Sequence, residues 1–246
     1  RAQVIKHLSG QHNQKKHAPE GRPVTSRVTA KLTAAKARLD SFGLGEIDIH
    51  SDLDPGVAIE ALTHIYKGCE LYSRLFTGQD FRGMKIVMRE KDPKADWKSD
   101  FMARGRYSPR TDTLTVYKYG AGAAYHELAH RMDASKAGSI GKTKLWDSEK
   151  SPVFKKIMRV VETAWKFRDW KTQDRRWKFG SYLTHPAEIA ARLAEQWLYT
   201  HDKDVARYYN RENWSHVSSR FLDFHDYDRV ESLFEEWAGI NNRKAR

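Results

Sequence analysis

The sequence predicts an α+β fold that is mostly helical and contains a small twisted sheet of three to four strands. Three observations predict this class. Apolar residues recur at helical spacing in long segments before and after the middle of the chain. A short region between residues 84 and 118 is instead rich in β-branched and aromatic residues. Finally, 39% of the 246 residues are hydrophobic, which is enough to bury a core.

The chain divides into four predicted regions. Residues 1–23 should form a basic, flexible arm, because they are polar, contain Gly and Pro, and lack apolar periodicity. A helical region follows at residues 24–78. Residues 79–200 hold the strands and the candidate site residues, and residues 201–246 form a C-terminal helical region.

The individual elements follow from apolar spacing and from turn residues. Strands are predicted at residues 84–88, 100–107 and 112–118, and the turn-forming residues 108–111 join the last two as a hairpin. Helices are predicted at residues 25–42, 54–76, 123–134, 152–170, 186–199, 202–210, 214–222 and 226–237. Two helices carry apolar stripes that should pack inward: Ala124, Leu128 and Met132 in one, and Ile189, Leu193 and Trp197 in the other.

The most informative stretch lies in the predicted helix 123–134 and reads His126-Glu127-Leu128-Ala129-His130. Positions i and i+4 of a helix lie on the same face, so both imidazoles can reach one Zn²⁺ ion. Glu127 lies one residue round the helix, where it can act as a general base on a metal-activated water. The simpler alternative is an amphipathic helix with two exposed or hydrogen-bonded histidines.

A third ligand must come from elsewhere, because a catalytic zinc ion usually has three protein ligands. Lys136 and Asp133 occupy the positions that carry His and Gly in metzincins, which excludes that pattern. Glu188, near the start of helix 186–199, is the preferred candidate. Two alternatives remain open: Glu188 forms only a weak surface pair with Arg192 at i+4, or His185 is the ligand instead.

Asp133 lies on the same helix face as the two histidines. A carboxylate at this position would suit the free N–H group of a ligand histidine. It is equally compatible with a solvated surface residue or with a partner for Arg131.

The motifs resemble a known family. His-Glu-Leu-Ala-His-Arg-Met-Asp at 126–133, followed by Glu-Ile-Ala-Ala-Arg at 188–192, is similar to the gluzincin metallopeptidases, and most to their anthrax lethal-factor-like branch. The resemblance covers roughly residues 80–200. It departs from the toxins at Arg192, where they carry an acid.

The resemblance implies a zincin-like core and zinc-dependent hydrolysis of a polypeptide substrate. Its zinc ligands would be His126, His130 and Glu188, with Glu127 as the general base. Tyr182 would be the phenol that steadies the oxyanion. An edge strand beside the active-site cleft, with residues 112–118 as the candidate, would hold an extended peptide.

The composition restricts the class of protein. The net charge is +12, and Lys and Arg outnumber acids by nine to one in residues 1–38 and by twelve to five in residues 142–178. The second segment also contains Trp146, Trp165, Trp170 and Trp177. This mixture suits a nucleic-acid backbone, or a helix with inward tryptophans and a solvated basic face. No apolar run is long enough for a membrane span, and the single Cys69, which excludes an internal disulfide, should be a buried hydrophobic residue.

The predicted arm contains the pattern His-Leu-x-Gly-Gln-His-x-Gln-x-x-His, which starts at His7. This pattern resembles a segment of phage head-associated proteins. The resemblance implies a bacteriophage protein of the virion or the host cytoplasm, with capsid or portal proteins as partners. A second function class is therefore a virion protein that binds DNA or the capsid through a zincin scaffold. A third is a zinc hydrolase with a non-peptide substrate.

Overall fold

The structure is a computed structural model that describes residues 26–90, 104–118, 120–142, 145–164, 167–169, 171–172, 182–211 and 224–240. The predicted arm 1–23, the predicted helix 214–222 and three of the four tryptophans of the basic segment lie outside the described residues.

The described residues form a mostly helical α+β fold with one small mixed sheet, which confirms the predicted class. The helices are α1 Ser26–Asp40, α2 Pro55–Leu75, α3 Ala123–Lys136, α4 Pro152–Val161, α5 Pro186–His201, α6 Lys203–Arg211 and α7 Phe224–Ala238. The strands are β1 Ile47–Ile49, β2 Lys85–Arg89, β3 Gly105–Ser108 and β4 Thr113–Tyr117.

The sheet has the strand order β1-β2-β4-β3. Strand β2 pairs in parallel with both β1 and β4, whereas β3 and β4 form the predicted antiparallel hairpin. The expectation that residues 112–118 form the edge strand is wrong, because β4 lies between β2 and β3. In the part of the chain that the structure describes, strand β3 is the edge strand on this side of the sheet.

The sequence prediction missed one strand and extended one helix too far. Strand β1 was not predicted, since its three residues are too few to show a period-two pattern. The predicted helix 152–170 is not continuous, because α4 ends at Val161. The N–H groups of Thr163 and Ala164 donate to carbonyls three residues earlier rather than four, which tightens the end of the helix. The Thr163 hydroxyl also donates to the carbonyl of Val160 at 2.7 Å, and this bond competes with continuation of the helix. Helix α4 does bury Phe154, Ile157 and Val161 and exposes Lys155, Lys156 and Arg159, so it has the expected basic outer face.

Helix α2 begins where it does because Asp54 caps it. The Asp54 carboxylate accepts hydrogen bonds from the N–H groups of Gly56 and Val57, and Pro55 occupies the first turn, where its missing donor costs nothing. Helix α2 packs closely against α3 at Gly68. A Cβ atom at this position would lie 2.5 Å from Cδ1 of Leu128, so only glycine permits the observed approach.

The core is continuous and places α3 near its centre. The apolar stripe predicted for α3 and the stripe predicted for α5 are both fully buried. The same core takes in residues from α1 through α7. Cys69 is buried in it, and burial raises the pKa of its thiol to about 12, which fits the expected packing role. Within the described ranges, no helix has both the length and the apolar character needed to cross a membrane.

A buried ion pair fixes the hairpin on α3. The guanidinium of Arg131 donates to both carboxylate oxygens of Asp112, each at 2.9 Å, and the Tyr107 hydroxyl donates to the same carboxylate at 2.8 Å. Asp112 has a φ of 44°, a left-handed conformation that Asp tolerates better than most residues. The turn between β3 and β4 is thereby held against the helix that carries the histidines.

The contact between α2 and α3 gives a testable prediction. We expect Gly68→Ala to destabilise the protein by about 1–3 kcal/mol, although alanine favours helices by roughly 0.8–1 kcal/mol, because the new methyl group overlaps Leu128. In a Leu128→Ala background the same change should be neutral or stabilising, since it then fills space. Urea unfolding of the four proteins of this double-mutant cycle measures the difference. An equal destabilisation in both backgrounds would contradict the proposed packing.

Candidate metal centre

Helices α3 and α5 bring together the three predicted zinc ligands. His126 and His130 lie one turn apart on α3, and Glu188 lies in the first turn of α5. One ligand atom from each of the three lies within 4.8 Å of the others. Nε2 of His126 is 3.3 Å from Oε2 of Glu188, and Nε2 of His130 is 3.2 Å from Oε1.

The residues fit a zinc ion in donor type and in spacing. Two imidazoles and a carboxylate are a usual donor set for catalytic zinc. Ligands about 2.0–2.1 Å from a tetrahedral ion lie roughly 3.3–3.4 Å from one another, which is close to the observed separations. In addition, the buried Oε2 of Glu188 makes no hydrogen bond to any described residue, although His126 is near. Two acceptor atoms, Nε2 of His126 and Oε2 of Glu188, are expected to lie this close without a hydrogen bond when both bind the same cation.

A residue that was not predicted, Glu195, orients the first ligand. Its Oε2 lies 2.9 Å from Nδ1 of His126, and its Oε1 accepts a hydrogen bond from the Tyr209 hydroxyl at 2.9 Å. Because a carboxylate can only accept here, Nδ1 carries the proton and Nε2 faces Glu188 and His130. The signal in the sequence was the spacing: Glu195 follows Glu188 by seven residues and so shares its face of α5.

Asp133 does not have the predicted role. Its carboxylate is fully buried and accepts hydrogen bonds from the backbone N–H and the hydroxyl of Ser148, at 2.8 and 2.6 Å. Nδ1 of His130, its expected donor, has no hydrogen-bond partner among the described residues. Neither alternative fits, because Asp133 is not solvated and Arg131 pairs with Asp112. Asp133 instead anchors the segment after α3.

That anchored segment carries Trp146 to the site. The ring centroids of Trp146 and His130 are 5.3 Å apart, and the indole is nearly buried. Burial raises the pKa of Asp133 to about 6, although the hydrogen bonds from Ser148 oppose the rise. Asp133 therefore contributes to the site by positioning an aromatic wall.

The charges of the cluster are strongly coupled. Burial by itself would lower the pKa of His126, but the carboxylates of Glu195 and Glu188 raise it to about 10. Burial would likewise raise the pKa of Glu188, but the two histidines hold it well below its usual range. The carboxylate is therefore ionised at neutral pH, as a metal ligand must be.

Glu127 is held apart from the three ligands. It is 7% exposed, and the backbone of Tyr107 in the edge strand β3 donates a hydrogen bond to its carboxylate. Gly105 leaves room for it, because a Cβ there would lie 2.9 Å from Cγ of Glu127. Burial raises the pKa of Glu127, while His126 and His130 counteract part of the rise. A raised pKa suits a carboxylate that both takes up and releases a proton.

A cleft of about 240 Å³ opens onto the cluster. Its walls come from β3, α3, the Trp146 segment and the start of α5. The lining residues are Gly105, Arg106, Tyr107, Glu127, His130, Trp146, Tyr182, His185, Ala187 and Glu188. The predicted base and the predicted oxyanion donor therefore face the same space as two of the three predicted ligands.

Tyr182 lies at the mouth of this cleft. Its side chain is 44% exposed, and its hydroxyl interacts with Glu188. Removal from water and the negative charges of Glu188 and Glu127 raise the pKa of Tyr182. The phenol therefore keeps its proton and can donate a hydrogen bond.

The contacts of His185 and Arg192 disfavour both alternatives for the third ligand. His185 caps α5 by accepting the N–H of Ala187 at 3.3 Å, and its Nε2 lies 3.0 Å from Glu149. Both ring nitrogens are thus engaged at the rim, outside the three-residue cluster. Arg192 does approach Glu188, at 3.8 Å, but both side chains are buried, so this is not a surface pair.

The role of Glu195 can be tested by an isosteric change. We expect Glu195→Gln to weaken zinc binding roughly 10–100-fold, because the amide no longer supports His126 with a full negative charge. Competition with a chromophoric chelator measures the affinity. Glu149→Gln is the matched control, since it removes the carboxylate beside His185 at the rim and should leave zinc affinity unchanged. Equal affinities for wild type and Glu195→Gln would remove Glu195 from this role.

Comparison with protein-family models, with curated proteins and with solved structures gave no match to this chain.

Proposed function

We propose that the protein is a zinc-dependent peptide hydrolase built on a zincin-like core of the gluzincin type. One observation carries the proposal: two members of a three-residue ligand set, His130 and Glu188, and the separate buried carboxylate of Glu127 face the same open cleft. A purely structural metal site usually has four protein ligands and needs no adjacent base. A cleft-facing Glu127 beside three ligands is instead the arrangement that catalysis requires.

When bound, a zinc ion supplies Lewis acidity and lowers the pKa of coordinated water towards about 7. The chain's own residues provide the remaining chemistry. Glu127 accepts the proton of the attacking water and later delivers it to the leaving amine. Glu195 holds the imidazole of His126 in the required tautomer through Nδ1. Tyr182 donates a hydrogen bond to the oxyanion that develops on the scissile carbonyl.

The edge strand favours a polypeptide as the substrate. Among the described residues, strand β3 is paired on one side only, with β4, and its residues Gly105, Arg106 and Tyr107 line the cleft. An extended peptide can add to such an edge through backbone hydrogen bonds. The cleft thus offers a backbone template beside a hydrolytic centre, which favours peptides over non-peptide substrates.

The second candidate, a phage virion protein that contacts DNA or the capsid, rests on the arm and on the basic charge. The described residues add one observation in its favour. Helix α1 exposes Arg27, Lys31 and Arg38 and buries only Leu39. A basic, weakly anchored helix suits contact with a polyanion. A peptidase carried in the virion would combine both candidates.

The general base gives the first test of the proposed activity. We expect Glu127→Gln to retain zinc and to lower kcat about 10²–10⁴-fold, since the amide cannot accept the proton from water. The assay follows a fluorogenic peptide library with zinc-loaded protein, and elemental analysis confirms the metal. Wild-type turnover by the zinc-loaded variant would exclude Glu127 as the base. A zinc-loaded wild type that cleaves no peptide would contradict the proposed substrate class.

The oxyanion donor gives a second test. We expect Tyr182→Phe to lower kcat about 10²–10³-fold with little change in KM, because the lost hydrogen bond forms mainly in the transition state. Folding should be unaffected, since the side chain is partly exposed. Steady-state kinetics on the best library peptide separates the two constants. A rise in KM at constant kcat would instead assign Tyr182 to substrate binding.

A further inference from the structure

A second cluster of ligand-type side chains lies at the other end of α5. It consists of His201, the last residue of α5, with Glu231 and Glu235 of α7. One ligand atom from each lies within 4.8 Å of the others, and Nε2 of His201 is 3.4 Å from Oε1 of Glu231. The two glutamates are four residues apart, so both project from one face of α7.

The tautomer of His201 suits metal binding. Its Nδ1 lies 2.9 Å from the carbonyl oxygen of Trp197 and 2.8 Å from the Thr200 hydroxyl. Because a carbonyl can only accept, Nδ1 carries the proton, and in the neutral ring the lone pair is on Nε2. That nitrogen faces Glu231. Metal-binding histidines commonly donate their other N–H to a backbone carbonyl in this way.

Trp197 contacts both the imidazole and one carboxylate of the cluster. Its fully buried indole stacks on the His201 ring, with centroids 4.3 Å apart and an interplanar angle of 9°. Its indole N–H donates to Oε1 of Glu235 at 3.1 Å. One buried side chain therefore fixes both the imidazole and a carboxylate, so the cluster is preorganised rather than a chance meeting of surface residues.

Tyr227 points independently to a ligand. Its side chain is 2% exposed, and its hydroxyl lies beside Thr200 and Glu231. This buried hydroxyl completes no hydrogen bond to any residue in the described part of the chain. Such a group costs about 1–3 kcal/mol if it stays unsatisfied, and a hydrated cation beside Glu231 would satisfy it.

We propose that His201, Glu231 and Glu235 form a second metal site that binds a divalent transition-metal ion of the zinc class and clamps α5 to α7. The imidazole favours such an ion over Mg²⁺ or Ca²⁺, which prefer sites made entirely of oxygen. The ion offsets the repulsion between two carboxylates one helical turn apart. It also lies at the C-terminus of α5, where positive charge is favoured.

Zinc stoichiometry tests the proposal on the full chain. Equilibrium dialysis against buffered Zn²⁺ with excess Mg²⁺, followed by elemental analysis, should give two zinc ions per chain. Glu231→Gln with Glu235→Gln should bind one, because the amides keep the shape but lose the charge. Asp228→Asn with Glu236→Gln removes two exposed charges from the same helix and should still bind two. A Glu231→Gln/Glu235→Gln protein that also binds two would overturn the site.

The two metal sites can be distinguished by removing the first. His126→Ala with His130→Ala should bind one zinc ion, and adding zinc should raise its Tm. The same protein with the two α7 glutamates replaced should bind none and show no shift in Tm. If His126→Ala/His130→Ala binds no zinc while folded by circular dichroism, the second site is excluded and the proposed function is unaffected. If wild type binds one ion and loses it only with the α7 changes, the second site stands and the proposed catalytic centre fails.

Discussion

The structure depends on a helix that is buried on nearly every side and yet carries five His, Glu, Arg or Asp residues between positions 126 and 133. Eleven of the fourteen residues of α3 are buried. An unpaired buried charge costs several kcal/mol, so each ionisable side chain needs a partner from another element. Helix α5 approaches the two histidines, the hairpin turn pairs with Arg131, the backbone of β3 donates to Glu127, and Ser148 donates to Asp133. The placement of these elements around α3 follows from what its side chains require.

A few buried polar atoms of the described residues, Nδ1 of His130 on α3 among them, have no hydrogen bond. Buried polar groups without hydrogen bonds are uncommon, and each asks for a physical reason. In the described ranges, Oε2 of Glu188 and the hydroxyl of Tyr227 are two such atoms. The first belongs to a cluster that can hold a cation, and the second lies beside Glu231 of another such cluster. A metal ion satisfies carboxylates and their neighbours in a way that protein donors do not. Both metal proposals thus rest on the same physical argument, applied to two ends of α5.

Local features were predictable from sequence, and long-range ones were not. The spacing of His126 and His130 on one helix requires only helical geometry, and that prediction is confirmed. The order of strands depends on packing between distant segments, so the edge position of β3 was missed. The same limit explains the error at Asp133. Its face on α3 was correct, but the identity of its partner depended on where the chain folds back, and that brought Ser148 to Asp133 and Glu195 to His126.

Helix α5 connects the two candidate metal sites and places them on different faces and at opposite ends. At about 100° per residue, Glu188 and Glu195 share one face, and Trp197 and His201 lie on roughly the opposite one. The first pair faces α3 and the second faces α7. Thirteen positions separate Glu188 from His201, which is roughly 20 Å along the axis. At this distance a cation at His201 would act on the charge of Glu188 only weakly, because Coulomb energy falls with distance. In the proposed second site, a cation would instead fix how α5 packs against α7, and with it the position of Glu188 in the first turn of α5.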